Sequence, residues 1–344
     1  MIKVAINGFG RIGRIALKII LTKYTDQIEV VAVNTSGSMG IEGWAHLLQY
    51  DSVHGKFQKK VKSQSTKLKT DNEIGFLEIE NKKIPVLAQK DPALISWKDY
   101  GAEIIIEATG HFTDKPGASL HLKAGAKKVI ISAEAKEIDD FVLGVNEEKY
   151  DGQTIIGNAS CTTNCIAPIV KIIGDHLGIQ KAIMSTIHAY TSTQSLLDDS
   201  NDDLRRARDA ALNIIPTTTG AAKATVEVIP SLKGVFDGLS YRVPVACGSI
   251  AEIVFVTTKR TTVEEVNQVL KAASENEYRG IVDYTEVPIV SSDVIGSTAS
   301  SIVDSKLTQV VDGDLVKVVA WYDNEWGYAS RLVELVCLVG KKIN

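Results

Sequence analysis

Short, unbroken runs of apolar residues recur along the first half of the chain, and amphipathic stretches separate them. The apolar runs cover residues 2–7, 28–33, 103–108 and 128–133, and the amphipathic stretches cover 14–21 and 115–124. Continuous apolar strands that alternate with helices are typical of a parallel sheet with helices on both faces. The pattern therefore predicts a doubly wound α/β domain. Within it, residues 94–97 are predicted to end a short helix.

The second half has longer strands that are rich in β-branched residues. Residues 249–256 and 315–322 show this composition, and several strands alternate apolar and polar positions. Such alternation suits a mostly antiparallel sheet with one covered face, so we expect an α+β domain here. Residues 330–339 are apolar at helical spacing, and we expect this helix to pack back onto the first domain.

A glycine-rich turn follows the first apolar strand. Gly8, Gly10 and Gly13 form a Gly-x-Gly-x-x-Gly pattern between strand 2–7 and helix 14–21, and a second strand comes next. Strand, glycine turn, helix and strand within about thirty residues form the Rossmann-type dinucleotide-binding unit. The pattern predicts that the first domain binds a dinucleotide.

A thiol stands at a second strand-to-helix turn. The apolar run 154–159 leads into the polar segment 160–165, which contains Cys161, and residues 166–173 follow with helical spacing. A cysteine at a helix N-terminus lies among unpaired N–H groups at the positive end of the dipole, which favours the thiolate and lowers the thiol pKa. Taken alone, Cys161 could also be a small buried hydrophobic residue.

No linker rich in proline or glycine separates the two halves, so we place the boundary directly before the thiol. This gives a dinucleotide-binding domain at 1–160, a catalytic domain at 161–328 and a returning C-terminal helix at 329–344.

Composition narrows the class of protein. The chain has 344 residues, of which 44% are hydrophobic and 23% charged, and its net charge of −4 gives no reason to expect a nucleic acid or a membrane as partner. The lysine-rich stretch 56–69 is predicted to be an exposed β-ribbon or loop. Four cysteines without zinc spacing indicate neither a disulfide framework nor a metal site, and the N-terminus does not resemble a signal peptide. We expect a cytoplasmic protein.

Several segments together carry a family resemblance. They read INGFGRIGR at 6–14, YDSVHG at 50–55, ASCTTNC at 159–165, HAYT at 188–191, TTTGAAK at 217–223, RVPV at 242–245 and WYDNEWGY at 321–328. With these segments the chain resembles the phosphorylating glyceraldehyde-3-phosphate dehydrogenases nearly from end to end. The resemblance implies a homotetramer that oxidises glyceraldehyde 3-phosphate with inorganic phosphate and NAD or NADP to give 1,3-bisphosphoglycerate.

The resemblance also implies roles for individual residues. Cys161 would be the nucleophile and His188 the base, although a histidine at the end of an apolar run is, taken alone, more often structural. The residues implied for the two phosphates are Thr191, Thr193 and Arg242 for the substrate phosphate, and Ser160, Thr162, Arg206, Thr219 and Gly220 for the attacking phosphate. Arg205, next to Arg206, is an open alternative. Taken alone, residues 217–220 would be a helix cap.

The implied cofactor residues belong to both halves of the chain. They are Gly8, Gly10, Arg11, Ile12, Gly13, Asn34, Thr35, Lys90, Thr109 and Ser132 in the first half, and Asn324 and Tyr328 in the second. Residues 33–38 lack the carboxylate that usually binds the ribose 2′-hydroxyl of NAD. Because Ser200 also resembles NADP-using members, we expect NADP to be accepted at least as well as NAD, although Asp199 beside it argues against a phosphate.

Three alternatives remain open at this point. Erythrose-4-phosphate dehydrogenase differs by one carbon in its substrate, and semialdehyde dehydrogenases share the thiol chemistry but lack the segment 321–328. A protein of another class would bind a nucleotide without catalysis. A redox role for Cys161 and Cys165 is disfavoured, because side chains four apart on a helix rarely meet disulfide geometry.

Overall fold

The computed structural model of the chain describes residues 1–343. In this part of the chain the strands are β1 Ile2–Asn7, β2 Ile28–Asn34, β3 Val61–Gln64, β4 Glu73–Ile79, β5 Lys82–Leu87, β6 Ile104–Glu107, β7 Lys128–Ile131, β8 Ile155–Gly157, β9 Ile179–Ala189, β10 Ile215–Thr217, β11 Phe236–Val243, β12 Ser249–Thr257, β13 Val282–Thr285, β14 Ser301–Asp304, β15 Gln309–Val311 and β16 Leu315–Tyr322. The α-helices are α1 Arg11–Lys23, α2 Ile41–Gln49, α3 Trp97–Tyr100, α4 Lys115–Lys123, α5 Cys161–Leu177, α6 Ala221–Val228, α7 Val263–Glu275 and α8 Trp326–Gly340.

The chain forms two compact units. The first contains Met1–Phe141, Tyr150–Asn158 and the chain from Ala329 onward, and the second contains Val142–Lys149 and Ala159–Tyr328. The three-part division at residues 160 and 328 stays a prediction. Within the described residues, no helix combines the length and the apolarity that a membrane crossing requires.

The first unit has a sheet in the order β3-β4-β5-β2-β1-β6-β7-β8. Strands β5, β2, β1, β6, β7 and β8 run parallel, and β3 and β4 add an antiparallel edge. The parallel strands are almost entirely buried, as expected for a sheet covered on both faces. The doubly wound prediction is confirmed, and the carboxyl ends of β1, β2, β6 and β7 lie along one edge.

One local prediction in this unit is wrong. Residues 94–97 do not end a helix, because a single 3₁₀ turn at Pro92–Leu94 stops there and α3 begins at Trp97. The Asp91 side chain accepts from the Ala93 N–H and caps the turn, but Ile95 is extended and interrupts the helical hydrogen bonds.

The second unit has a mostly antiparallel sheet, in the order β10-β11-β9-β12-β16-β14-β13 with β15 beside β16. Among the described strands of this second sheet, only the pairs β9–β11 and β13–β14 are parallel. One face of the sheet packs on α5, α6 and α7, whose apolar sides form the core of the unit. Along β12 the buried and half-buried positions alternate strictly, which confirms the predicted α+β arrangement.

Candidate active site

The α5 helix begins at the thiol. Ser160 is extended and its hydroxyl accepts from the Thr163 N–H at 3.2 Å, so Ser160 caps the helix and Cys161 is its first residue. Most of the rest of α5 is apolar and buried in the core of the second unit, while Asp175 and His176 in its last turn are exposed. The core therefore fixes the position of a helix whose half-buried first residue carries the sulfur.

The backbone before the cap is strained. Ala159 has a φ of 51°, a left-handed conformation that costs a residue with a Cβ about 1 kcal/mol or more. The Tyr328 hydroxyl donates to the Ala159 carbonyl at 3.1 Å and helps to hold this conformation. The strained residue directly precedes Ser160, the cap of α5.

An imidazole faces the thiol. His188 lies near the end of β9, and its Nε2 is 3.3 Å from Sγ of Cys161. His188 is only 3% exposed, while Cys161 is half-buried. A nucleophile within hydrogen-bond distance of a base is the arrangement that covalent catalysis requires.

Arginine 242 approaches the same ring from the opposite side. β11 runs parallel to β9 with Arg242 in register with His188, and Nη1 of Arg242 lies 2.6 Å from Nδ1 of His188. The Ala189 carbonyl oxygen is 2.7 Å from the same nitrogen. Nδ1 cannot donate to the carbonyl and accept from the guanidinium at once, so the two contacts compete.

The charges around the ring set its protonation. Burial, and then the positive charge of Arg242, lower the pKa of His188 to about 3, and the hydrogen bond with Ala189 opposes them only in part. Burial lowers the pKa of Arg242, while the field of Cys161 raises it and that of Arg206 lowers it. The thiol, the imidazole and two guanidinium groups therefore interact electrostatically.

Sequence reasoning did not identify Tyr322 as a neighbour of these groups. Its hydroxyl lies 2.9 Å from Oγ1 of Thr162 and 2.8 Å from Oγ1 of Thr186. Its ring meets the His188 ring edge-on, with 5.9 Å between the ring centroids. The burial of Tyr322 follows from the strand pattern of residues 315–322, but its contact with residues about 160 and 136 positions away depends on strand order.

The second cysteine of the turn has a different environment. Cys165 is fully buried, and burial raises the pKa of its thiol. None of the four cysteines forms a disulfide within the described part of the chain. A protonated, inaccessible thiol is a poor partner for redox exchange.

Several residues expected to bind the attacking phosphate have their polar groups engaged with other parts of the protein. Nε of Arg206 donates to Oγ1 of Thr217 at 2.7 Å and its Nη2 donates to the Thr218 carbonyl, so the half-buried side chain lies along the segment that precedes α6. Arg205 is exposed. Thr219 accepts from the Ala221 N–H, and Gly220 is the N-cap of α6, in accord with the helix-cap interpretation of this segment.

The remaining phosphate candidates differ in exposure. The hydroxyls of Thr191 and Thr193 lie 2.9 Å apart near the protein surface. The Thr162 side chain is 4% exposed and its hydroxyl is bonded to Tyr322. Nε of Arg242 is buried and has no hydrogen-bond partner among the described residues, which is a donor suited to an anion.

The glycine turn of the first unit fits a pyrophosphate. Gly8 has a φ of 100°, and a Cβ on Gly13 would lie 2.0 Å from the Gly8 carbonyl oxygen, so both glycines are required by the fold. A Cβ on Gly10 would meet nothing within 4 Å, so the space beside this N-cap of α1 is open. Arg11, beside Ile12 in the first turn, is held by Asp51 at 3.0 Å and is 40% exposed. Open space, helix N–H groups and a cation suit a pyrophosphate.

Asn34 and Thr35, at the end of β2, are engaged inside the fold. Nδ2 of Asn34 donates to Asn7 and to the Gln89 carbonyl, and its Oδ1 accepts from the Gln89 N–H. The Thr35 hydroxyl donates to the Leu87 carbonyl. The exposed hydroxyls of this loop belong to Ser36 and Ser38, and Lys90 is also exposed.

The other cofactor candidates lie at strand ends. Thr109 follows β6 and donates through its N–H and its hydroxyl to Glu107, and half-buried Ser132 follows β7. In the second unit, Oδ1 of Asn324 accepts from the Gly248 N–H and the Ser249 hydroxyl. These bonds fix the Asn324 amide so that its NH₂ group can donate to a ligand carbonyl.

Comparison with known proteins identifies the family. Residues 2–115 match the family model for the NAD binding domain of glyceraldehyde 3-phosphate dehydrogenase, and residues 160–324 match the model for its C-terminal domain. The chain is 51% identical to glyceraldehyde-3-phosphate dehydrogenase 2 of a Nostoc species, 48% to the protein of that name from Streptomyces avermitilis and 48% to the Geobacillus stearothermophilus enzyme, each over 99% of both chains. The names of these relatives favour glyceraldehyde 3-phosphate over erythrose 4-phosphate as the substrate. The chain belongs to the glyceraldehyde-3-phosphate dehydrogenase family.

Proposed function

We propose that this protein oxidises glyceraldehyde 3-phosphate in the presence of inorganic phosphate, with NAD or NADP as hydride acceptor, to 1,3-bisphosphoglycerate. The observation that carries the proposal is the 3.3 Å distance between Sγ of Cys161 and Nε2 of His188 at the start of α5. This contact supplies a nucleophile and a base to one carbonyl carbon. The second unit provides both groups, and the first provides the glycine turn.

The reaction begins at the sulfur. Nε2 of His188 takes the thiol proton, the Cys161 thiolate adds to the aldehyde carbon, and the proton passes from Nε2 to the oxygen of the resulting thiohemiacetal. His188 then accepts that hydroxyl proton at Nε2 while the C–H bond is broken. A bound nicotinamide supplies the acceptor for the hydride that leaves this carbon. The acyl group remains on Cys161 as a thioester, which conserves the free energy of the oxidation.

Phosphate then releases the product. An oxygen of inorganic phosphate attacks the thioester carbonyl, the C–S bond breaks, and the acyl phosphate leaves while Cys161 returns to the thiolate. We propose that Ser160, Arg206, Thr219 and Gly220 bind this attacking phosphate, together with the backbone N–H of Thr162. The Thr162 hydroxyl already bonds to Tyr322, so its backbone is the better donor.

Arg242 couples substrate binding to the base. Thr191, Thr193 and Arg242 are proposed to bind the phosphate of the substrate, because a guanidinium binds phosphate oxygens in bidentate fashion. A dianion at Arg242 neutralises this cation, which is the second cause, after burial, of the lowered pKa of His188. It also competes for the guanidinium donors, so that Nδ1 of His188 can donate to the Ala189 carbonyl. Bound substrate would therefore raise the basicity of His188, while burial continues to lower it.

The proposed cofactor site keeps most of the expected residues, but the side chains of Asn34 and Thr35 are bonded within the fold. Gly8, Gly10, Arg11, Ile12 and Gly13 would hold the pyrophosphate, Thr109 and Ser132 would lie where the cofactor crosses the strand ends, Lys90 would supply a cation near the adenosine, and Asn324 and Tyr328 would hold the nicotinamide end. At the β2 loop, Ser36 and Ser38 present the exposed hydroxyls, which supports acceptance of NADP. Residues 1–160 are proposed as the dinucleotide domain and 161–328 as the catalytic domain, with 329–344 returning to the first.

We further propose that the protein is a cytoplasmic homotetramer. The outward face of the second sheet carries apolar side chains on adjacent strands, where Ile183 is 59% exposed and Ile187 and Leu239 are each 37% exposed. A contiguous apolar patch of this kind is costly in water and is typical of an interface. A second copy of the chain would cover it. Light scattering of the purified protein, with Ile183→Lys as the disrupting variant, measures the assembly.

A steady-state assay tests the activity. The purified protein is given glyceraldehyde 3-phosphate and inorganic phosphate with NAD and, separately, with NADP, and the reduced cofactor is followed at 340 nm. We expect turnover that depends on phosphate, with an efficiency for NADP at least equal to that for NAD. A hundredfold preference for NAD would refute the cofactor proposal, and higher efficiency with erythrose 4-phosphate would refute the substrate.

A further inference from the structure

One phenol joins the two elements that carry the reactive groups. Tyr322 lies near the end of β16, and its hydroxyl is within 2.9 Å of Thr162 on α5 and within 2.8 Å of Thr186 on β9. Thr162 directly follows Cys161, and Thr186 precedes His188 by two residues on the same face of β9. All three hydroxyl-bearing side chains are buried, with at most 4% exposure.

The hydroxyls of Thr162, Tyr322 and Thr186 form a chain of hydrogen bonds, and only one arrangement of their protons satisfies every bond in it. The Thr186 hydroxyl lies 3.2 Å from the Ile250 carbonyl, which can only accept. If Thr186 donates to this carbonyl, Tyr322 donates to Thr186 and Thr162 donates to Tyr322, so each hydroxyl donates once. Burial strongly raises the pKa of Tyr322, so the phenol keeps its proton and can donate.

The sheet makes room for this bridge. Tyr322 pairs with Ser249 on β12, and Ala251 of β12 pairs with Thr186 of β9. The two β12 residues on this face are small, so a side chain from β16 can pass over β12 to reach β9. Its ring then packs edge-on against the His188 ring, at an interplanar angle of 70°.

We propose that Tyr322 is a positioning residue that holds Cys161 and His188 at reacting distance by tying the first turn of α5 to β9. Its hydroxyl fixes the distance between the two elements, and its ring restricts the tilt of the imidazole. This inference deepens the proposed function, because it assigns a role in the same site to a residue outside the reacting groups.

The test removes single hydroxyls and measures thiol reactivity. Tyr322→Phe keeps the ring and removes the donor, and Thr186→Val removes its partner at nearly constant volume. In both variants we expect the rate of Cys161 alkylation by iodoacetamide at pH 7 to fall about tenfold, and the midpoint of its pH profile to rise, because the imidazole no longer stays beside the sulfur. The other three cysteines are buried, so alkylation of the folded protein reports on Cys161.

Catalysis provides a second measurement. We expect kcat for the proposed reaction to fall about 10- to 100-fold in Tyr322→Phe, while KM for the aldehyde changes less than about threefold, since the groups proposed for the substrate phosphate, Thr191, Thr193 and Arg242, keep their side chains. If the hydrogen-bond chain acts as one unit, kcat of the double variant Tyr322→Phe with Thr186→Val falls no further than kcat of either single variant. Thr186→Ser, which keeps the hydroxyl, should restore the wild-type alkylation profile.

The matched control is Tyr150→Phe. The Tyr150 side chain is also buried, but its hydroxyl has no hydrogen-bond partner among the described residues, so the same chemical change should leave alkylation and kcat unaltered. An unchanged alkylation profile in Tyr322→Phe overturns the proposal, whether or not the melting temperature falls. Because alkylation needs no substrate, this result is independent of whether the protein oxidises triose phosphate.

Discussion

The glycine turn allows cofactor binding and folding to be separated by two matched substitutions. Gly10→Ala adds a Cβ that meets no protein atom within 4 Å, at a residue whose φ of −68° suits alanine. Gly13→Ala adds the same methyl group 2.0 Å from a backbone oxygen. The first change affects only the space beside the turn, whereas the second forces α1 away from β1.

The expected magnitudes follow from these distances. Gly10→Ala should change the free energy of unfolding by less than about 1 kcal/mol, since a small loss at the N-cap is offset by a less flexible unfolded chain. If the methyl group prevents one charge-assisted hydrogen bond to the pyrophosphate, the affinity for the dinucleotide falls by about 1.5–3 kcal/mol, or about 10- to 150-fold. Gly13→Ala must move backbone by about 1 Å and should cost about 3 kcal/mol of stability or more.

Calorimetric titration with NAD and NADP, together with urea unfolding, measures both quantities. The reasoning predicts a folded Gly10→Ala protein that binds the cofactor weakly, and a Gly13→Ala protein that is destabilised before any ligand is added. Gly10→Ala protein that binds both dinucleotides as tightly as the wild type would show that the pyrophosphate lies elsewhere.

Three further substitutions address the thiol, a buried network and pH. Cys161→Ser should lower turnover by roughly two orders of magnitude or more with an unchanged circular dichroism spectrum, and activity above a few per cent would contradict the mechanism. Glu107→Gln should destabilise the first unit by about 3 kcal/mol in urea, because the buried carboxylate accepts from Asn7, Thr109 and the His121 ring. Burial would raise the pKa of Asp51, but the N–H groups of His54 and Val53 and the Arg11 guanidinium lower it to about 2. Since this folded-state pKa lies below the unfolded value, the stabilisation exists above about pH 4 and is lost as the pH falls towards 2. The stability difference between wild type and Asp51→Asn should therefore shrink between pH 6 and pH 3, and a constant difference would be the contrary result.

Local patterns were sufficient for the fold class of both units and for several of their strands and helices. Continuous apolar runs identified the parallel strands, and alternation identified the sheet that carries β12 and β16, because burial on two faces or on one leaves a direct trace in the sequence. The prediction that residues 94–97 end a short helix is wrong, since a capping Asp91 and a proline start a turn without supplying the hydrogen bonds that continue it.

The site could be predicted from local sequence patterns only in part. The strand-to-helix turn identified Cys161 as a candidate, and the family segments identified His188 and Arg242. Tyr322 and Thr186 were missed, because their contact depends on which strands are neighbours in the sheet and not on spacing along the chain. The hydrogen bonds of Asn34 with Asn7 and Gln89 could not be predicted either, since they join three segments that are distant in sequence.

The α5 helix has a structural role and a chemical role, and a substitution that changes one also affects the other. Its apolar length is the centre of a hydrophobic core, and its first residue is the reactive thiol. Any loosening of that core shifts or frays the terminus, so loss of thiol reactivity should precede global unfolding during gentle heating. Thermostable variants of this protein are therefore best sought at positions that do not contact the helix.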